Sequence, residues 1–417
     1  RIRHVLDGRW EETRQRVRQE IDPAAFAPPT ELLDLETHRQ RTLEAILELT
    51  RTDFARDGLT PEQGGTGRHD ASVTAFEMLG HADLSIFVKA GVQFGLFGGA
   101  IANLGTERHH RAFLPGMMDG SLLGCFAMTE TGHGSDVQAL LTTATYDAAT
   151  DEIVVHTPDL RARKDYIGNA ARDARMAAVF AQLVVDGEDH GVHCVLVPIR
   201  DEQGSPMPGV TIGDCGAKMG LRGVDNGRLT FDQVRVPRAN LLDRYGSIDD
   251  EGRYHSPIES RGRRFFTMLG TLVRGRISVA GGAGAATRTA LTLAITYGLH
   301  RTQFESGDGD GEVTILDYRA HQRKLLVPLA SSYALMLAQN ALVERMHEVA
   351  SGQDTSEHAQ RELEARAAGI KAVTTRHATD TIQTCREACG GAVGKMRLQA
   401  NPRATLCVPC KTKQERH

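Results

Sequence analysis

The chain carries almost no excess charge. Its 49 Lys and Arg stand against 53 Asp and Glu, a net charge of −4 over 417 residues. A balance that close gives no field to favour nucleic acid or an anionic membrane surface as a partner. Long hydrophobic runs are missing too. The longest, such as Met176 to Val185, fall well short of the ~18 to 20 residues that cross a bilayer, so no membrane partner is expected. The sequence opens on Arg1 without a hydrophobic signal region, which reads as a fragment or trimmed chain. Seven cysteines, an odd number with no signal region, point to a reducing compartment rather than a disulfide framework. The closing Gln414-Glu415-Arg416-His417 is no S-K-L address, and the many Ala, Arg and Gly residues suit a bacterial cytosolic protein. The expected location is therefore cytoplasmic. No internal repeat or long low-complexity segment is visible.

What is present falls into blocks. Residues 1–121 read as a helical domain: Leu32, Leu33, Leu43, Ile46, Leu47 and Leu49 have helical spacing, and 71–102 is a long apolar, Gly-spaced stretch. Residues 122–241 read as a small β-domain. Its β-rich runs are 142–146, 153–156, 176–185, 193–199 and 228–236, separated by turn clusters such as Asp225-Asn226-Gly227. Residues 245–260 are polar and punctuated by Gly and Pro, hence a loop. Residues 261–391 return to helix, with Leu325, Leu329, Tyr333 and Met336 on one apolar face and a kink expected at Pro328. Helix, sheet, helix in separate blocks argues for an α+β fold: an N-terminal helical domain, a central small β-domain and a C-terminal helical bundle.

Three patterns invite a functional reading and have a plainer one. Gly282-Ala283-Gly284-Ala285-Ala286-Thr287 comes after an apolar run like a dinucleotide fingerprint, but helical sequence succeeds it instead of a βαβ unit, which suits a helix made smooth for close packing. Cys385-x3-Cys389-x17-Cys407-x2-Cys410 is close to a zinc spacing. Cys385 and Cys389 lie one helical turn apart, so buried helix thiols and an unrelated tail explain the pattern and no metal is expected. Arg261-Gly262-Arg263-Arg264 is a solvated helix start rather than a nucleic-acid patch.

The most specific stretch is Cys125-Phe126-Ala127-Met128-Thr129-Glu130-Thr131-Gly132-His133-Gly134-Ser135-Asp136. Two glycines allow close backbone approach to a ligand, and the hydroxyls can bond ring or phosphate atoms; by spacing alone it is also a polar turn. Its wording resembles the T-E-x-x-x-G-S-D signature of the acyl-CoA dehydrogenase and oxidase superfamily. Further stretches in family order carry the same resemblance: Thr60-Pro61-Glu62-Gln63-Gly64-Gly65, Leu104-Gly105-Thr106-Glu107-Arg108-His109, Phe113-Leu114-Pro115, Arg163-Lys164-Asp165-Tyr166-Ile167-Gly168-Asn169-Ala170, Arg301-Thr302-Gln303-Phe304 and Ala388-Cys389-Gly390-Gly391. Thr131-Gly132-His133-Gly134 and Val224-Asp225-Asn226-Gly227 lean toward the oxidases.

The resemblance implies FAD as cofactor, an acyl-CoA substrate, O2 as acceptor and a homodimer. The implied reaction is oxidation of acyl-CoA to trans-2-enoyl-CoA in fatty acid β-oxidation. A carboxylate removes the α-proton, flavin N5 takes the β-hydride, and O2 reoxidises FAD to give H2O2. Carried over residue by residue, Met128 and Thr129 bond the flavin edge, and Gly134 and Ser135 lie near its phosphate or the CoA. Tyr166 takes a family Trp position beside the ring, with Gly168 on the N5 side. Arg301 and Gln303 reach a cofactor pyrophosphate, often the partner subunit's, and Gly390 and Gly391 admit another chain segment. His133 serves either as a backbone-bonding turn residue or as a ligand contact. The alternatives are a dehydrogenase that hands electrons to an electron-transfer flavoprotein, and a non-catalytic FAD or acyl-CoA binding protein.

One part of the pattern is missing. After Gly391 the family reads G-Y and then F-E-G, whose Glu is the base; this chain reads Ala392-Val393-Gly394-Lys395-Met396-Arg397 and reaches His417 without it. Some relatives place the base directly before an Arg on the first C-terminal helix, where Gly275-Arg276 stands here. No catalytic carboxylate is therefore assigned, and activity is expected to be impaired. Residues 392–417 read as an aberrant tail, from a frame change or gene-model error.

Overall fold

The computed structural model describes residues 2–29, 31–305, 309 and 311–389. Eight helices come first: α1 (Ile2–Asp7), α2 (Glu11–Glu20), α3 (Pro23–Phe26), α4 (Leu35–Leu49), α5 (His69–Leu79), α6 (Leu84–Ala90), α7 (Gly98–Leu104) and α8 (Glu107–Asp119). A wide turn of helix, Gly91–Phe97, joins α6 to α7. The Asp34 carboxylate caps α4 by accepting from Thr37 N. The apolar faces of these helices meet in one cluster that includes Ile46, Leu49, Phe54, Leu79, Ile86, Phe97 and Leu104.

Strands begin at Gly124. They are β1 (Gly124–Ala127), β2 (Thr143–Asp147), β3 (Glu152–His156), β4 (Lys164–Ile167), β5 (Met176–Val185), β6 (Glu188–Pro198), β7 (Val210–Asp214), β8 (Gly227–Phe231) and β9 (Val234–Pro237). The run expected as one strand over 228–236 is two, because Gln233 turns the chain with φ 52. A six-stranded sheet is centred on β5, and β4, β8 and β7 form a second sheet. One edge of β5 is shared. Its first half pairs with β1, Gly124 opposite Met176, and its second half with β2, Thr143 opposite Gln182. The chain between, residues 128–142, leaves the sheet at that split. The candidate signature loop stands there because the sheet changes strands under it.

The stretch expected as a loop over 245–260 holds a short hairpin, β10 (Ser247–Ile248) and β11 (Tyr254–His255). Helices then resume as α9 (Arg261–Leu269) and α10 (Thr271–His300). A second hairpin comes next, β12 (Thr302–Glu305) and β13 (Glu312–Thr314), and then α11 (Arg319–Ala350) and α12 (Glu357–Cys389). Helix α11 runs unbroken through Pro328. Its buried row is Leu325, Ser332, Met336, Gln339 and Val343; the expected face holds at Leu325, half-buried Leu329 and Met336, while Tyr333 is exposed and Ser332 beside it turns inward.

The glycine-rich run at 281–284 lies inside α10, which disposes of a dinucleotide loop. Its smoothness has a use. A Cβ on Gly282 would sit 2.5 Å from the Phe87 ring, and one on Gly80 would sit 2.6 Å from the Gly282 carbonyl oxygen. Gly282→Val should therefore lower unfolding free energy by about 1–3 kcal/mol through overpacking, despite the poor helix propensity of Gly. Urea denaturation measures it, and an unchanged midpoint would refute the packing role.

Polar groups also tie the helical blocks together. Buried Glu77 accepts from Arg14 of α2 at 2.8 Å and from Arg288 of α10 at 2.6 Å. Burial alone would raise its carboxyl, but the two guanidinium groups outweigh it and hold it below the usual range.

Two helical stretches, Leu84–Leu104 and Arg319–Ala350, are long and apolar enough to cross a bilayer by length and composition alone, which corrects the expectation drawn from contiguous runs. Their apolar residues are spread along the helix among Ala, Gly, Ser and Tyr. The first is a core helix, with 61% of its apolar window buried; the second has only 22% buried and presents Leu326, Val327 and Leu337 outward.

Candidate functional site

The loop from Met128 to Asp136 crosses from the large sheet to the edge of β4. Glu130 forms an antiparallel bridge with Lys164, and Asp165 N donates to the Thr129 carbonyl oxygen at 3.0 Å. Glu130 N donates to the His133 carbonyl oxygen and His133 N to that of Glu130, each at 3.2 Å, closing the loop on itself.

Beneath the loop lies a buried ion pair. Lys164 Nζ donates to Glu130 Oε1 at 2.9 Å, to the Met128 carbonyl oxygen at 3.1 Å and to the Phe180 carbonyl oxygen at 2.7 Å. Phe180 lies on β5 between the residues paired with β1 and those paired with β2, so the ammonium fills the hydrogen-bonding gap left by the departing loop. Both side chains are at 0% exposure. Burial pushes the Lys164 ammonium down to about 8 against the pull of Glu130. Burial would raise the Glu130 carboxyl, but Lys164 and the donors around it hold it low. Oε1 also accepts from Thr142 N and Thr142 Oγ1, and Oε2 accepts from Leu141 N. Both oxygens of Glu130 are thus engaged, and it is a brace.

A second buried ammonium anchors the far side. Lys89 of α6 is 2.7 Å from Asp173 Oδ2 and bonds Asp225. Asp225 Oδ2 accepts from Arg172 N and Asp173 N, and Asn169 Nδ2 donates to the Gly124 carbonyl oxygen at 3.1 Å. The turn 224–227 and the strand-end residue Asn169 thereby fix β1 and β4 against the helical block.

The expected site residues divide by location. Met128 is buried, with its carbonyl taken by Lys164. Thr129 is half-buried, and Ser135 is exposed; neither hydroxyl makes a hydrogen bond among the described residues. Gly134 is exposed, with open space where a Cβ would stand. Tyr166 is 66% exposed, and its φ of 56 is a left-handed conformation that costs about 1–3 kcal/mol and persists only where its neighbours enforce it. Gly168 has a packing reason to be Gly, since a Cβ there would meet Val92 Cγ2 at 2.8 Å. Met128, Thr129, Gly134, Ser135, Tyr166 and Gly168 all belong to the loop and the strand it docks on. Arg301 and Gln303 do not join them: they are exposed on the β12–β13 hairpin at the end of α10. Gly390 and Gly391 lie outside the described residues. His133 Nδ1, 3.8 Å from Glu130 Oε2, and Arg163 Nε are buried polar atoms without a partner beside the loop. A polar ligand laid on this face would meet the free hydroxyls of Thr129 and Ser135 and an outward aromatic ring.

Lys164, Asp165 and Asp225 stand in stretches that carry the family resemblance but had no role assigned from the sequence, and Lys89 was not singled out at all. Their partners lie far along the chain, so no local pattern shows the pairing.

Comparison with known proteins assigns successive parts of the chain. Residues 10–121 match the acyl-CoA dehydrogenase N-terminal domain, 125–234 the acyl-CoA dehydrogenase middle domain, and 269–394 the acyl-CoA oxidase C-alpha1 domain. The acyl-coenzyme A oxidase 3, peroxisomal, of Arabidopsis thaliana is 39% identical over 374 residues, 90% of this chain and 54% of that protein. The crystal structure of acyl-CoA oxidase 1 from Yarrowia lipolytica superposes with a TM-score of 0.83 at 32% identity, covering 95% of this chain and 59% of that one. A Caenorhabditis elegans acyl-CoA oxidase-1 structure, described as complexed with FAD and ATP, gives 0.75 at 27% identity over 93% of this chain and 57% of that one. The chain spans a little over half the length of these relatives.

One expectation changes. The cytoplasmic location is corrected, because this relative and others are named peroxisomal. The last residues of a chain covering 54% of its relative carry no information about that relative's terminal address. The tail also gains a counterpart: residues 383–416 match a prokaryotic dksA/traR C4-type zinc finger. The Cys385 thiol is buried in the helical bundle in a cluster with Ala286, Leu291 and Ile382. Cys407 and Cys410 lie outside the described residues.

Proposed function

Because the chain belongs to the acyl-CoA oxidase family, we propose that it is built to bind FAD on the Met128–Ser135 loop and to serve the oxidation of acyl-CoA to enoyl-CoA with O2 as acceptor. The observation that carries this is the split in the partners of β5, which lifts the loop out of the sheet and sets it beside Tyr166. When bound, FAD supplies the hydride acceptor and the route to O2. The chain's own part is placement. Thr129 Oγ1 and Ser135 Oγ are the hydroxyls free to bond the cofactor, Tyr166 offers a ring to stack, and the Lys164–Glu130 pair keeps the loop still beneath them. The names of the relatives favour an oxidase over a dehydrogenase. The apolar row Leu326, Val327 and Leu337 supports a homodimer.

The test is reconstitution. The purified chain titrated with FAD should turn yellow, quench flavin fluorescence and show the mass of a dimer in light scattering. A folded, colourless monomer that takes up no FAD would sink the reading. Thr129→Val should weaken FAD binding by about tenfold, since one hydrogen bond to a cofactor contributes ~1–2 kcal/mol and the two side chains are nearly isosteric. An unchanged dissociation constant would remove Thr129 from the site.

A further inference from the structure

We propose that Asp165 is the positioning residue of this site: its carboxylate locks the signature loop to the strand end and holds Tyr166 in the conformation that presents its ring. This rests on the flavin reading above and adds a residue to it.

The Asp165 carboxylate collects four donors from three parts of the chain. Oδ1 accepts from Tyr166 N at 3.0 Å and from Arg228 Nε of β8 at 3.0 Å. Oδ2 accepts from Thr131 Oγ1 of the loop at 3.0 Å and from an Arg163 guanidinium nitrogen at 3.0 Å. Its own N–H holds the Thr129 carbonyl oxygen at 3.0 Å. The residue is only 6% exposed. A carboxylate with four donors in place is a rigid node, because each charge-assisted bond also fixes the direction of the others.

Tyr166 is the main beneficiary. Its N–H is held by Asp165, and Asn226 Nδ2 donates to its carbonyl oxygen at 2.8 Å. Both peptide groups flanking the left-handed residue are therefore pinned, which over-determines a backbone that a tyrosine rarely adopts. The Arg228 guanidinium, 5.9 Å from the ring centre, limits where the ring can swing. Take the carboxylate away, and Tyr166 is free to relax to an ordinary backbone conformation while the Thr131 loop loses its anchor. Thr131 and Arg163 outweigh the effect of burial and keep the Asp165 carboxyl below the usual range, so the node stays charged at neutral pH.

The experiment is a double-mutant cycle on FAD affinity, read by flavin fluorescence quenching on the full 417-residue chain. Asp165→Ala should weaken FAD binding at least tenfold. Asp165→Asn, which keeps an acceptor for Tyr166 N but not for both Thr131 Oγ1 and Arg163, should fall between. Tyr166→Ala should weaken binding as well, and adding Asp165→Ala to it should cost much less than in the wild type, because Asp165 acts through Tyr166. Melting of the FAD-free variants serves as the control for general loss of structure. If Asp165→Ala does not fold, Thr131→Val removes the loop's bond to the Asp165 carboxylate and Asn226→Ala releases the Tyr166 carbonyl oxygen; each should weaken FAD binding, the second in a Tyr166-dependent way. Wild-type affinity in these variants, or full additivity with Tyr166→Ala, overturns the proposal and leaves the flavin reading standing. A wild-type chain that binds no FAD overturns both.

Discussion

Glu130→Ala should lower the unfolding free energy of this protein by about 4–5 kcal/mol, and Lys164→Met by about 3 kcal/mol, as measured by urea denaturation at pH 7. The order comes from what each change strands. Removing Glu130 leaves a fully buried ammonium with two carbonyls and takes the acceptor from three donors, orphaning Leu141 N and Thr142 N while the Thr142 hydroxyl keeps the Ala162 carbonyl oxygen. Removing Lys164 leaves a carboxylate that keeps those three donors and can take up a proton at modest cost. Losses below about 1 kcal/mol for both, or the reverse order, would show that the pair is not the brace beneath the loop. The pH dependence carries a second sign. Lys164 titrates at about 8 in the fold; against ~10.4 in the unfolded chain, the unfolded state binds more protons between those values. Wild-type stability relative to Lys164→Met should therefore rise from pH 8 toward 10.4. A flat difference across that window would contradict the burial of the ammonium.

The second large effect concerns turnover. Expressed as these 417 residues and loaded with FAD, the chain should be bleached by acyl-CoA under anaerobic conditions about 10²- to 10⁴-fold more slowly than a version continued with a G-Y…F-E-G segment after Gly391, the usual contribution of a general base. The sequence after Gly391 carries no such Glu, and Gly275 precedes Arg276. Glu130 cannot substitute. It is 1% exposed, and its two oxygens already accept from Lys164, Thr142 and Leu141. Admitting air to the extended version should give peroxide. Fast bleaching by the 417-residue chain would reveal a base elsewhere, and failure of the extension to speed it would remove the family base from the account.

The order of the blocks, helices then strands then helices, was legible because it is written in local periodicity and turn chemistry. The glycine-rich run at 281–284 was placed correctly on a helix by the long helical sequence on its C-terminal side. The strands at 143–147, 152–156 and 176–185 were legible for the same reason. The face of α11 was legible at Leu325, Leu329 and Met336 but not at one position. Tyr333 and Ser332 are adjacent, and which of them turns inward depends on how α11 lies against α10 and α12; hydrophobicity favoured Tyr333, while packing took Ser332.

The candidate site divides along the same line. The sequence by itself determined its wording: two threonines, two glycines and a serine after an apolar strand, with a Lys-x-Tyr stretch some thirty residues on. Tertiary structure decided what those letters do. It made Glu130 a brace, gave Gly168 a packing reason beside Val92, and separated Arg301 and Gln303 from the loop. It also assembled the Asp165 node from Thr131, Arg163, Tyr166 and Arg228. The physical reason is range. Propensity, period and capping act over a few residues and can be read in order. A buried charge is tolerable only beside its partner, and Lys164 with Glu130, or Lys89 with Asp225, meet 34 and 136 positions apart through a fold no local pattern records.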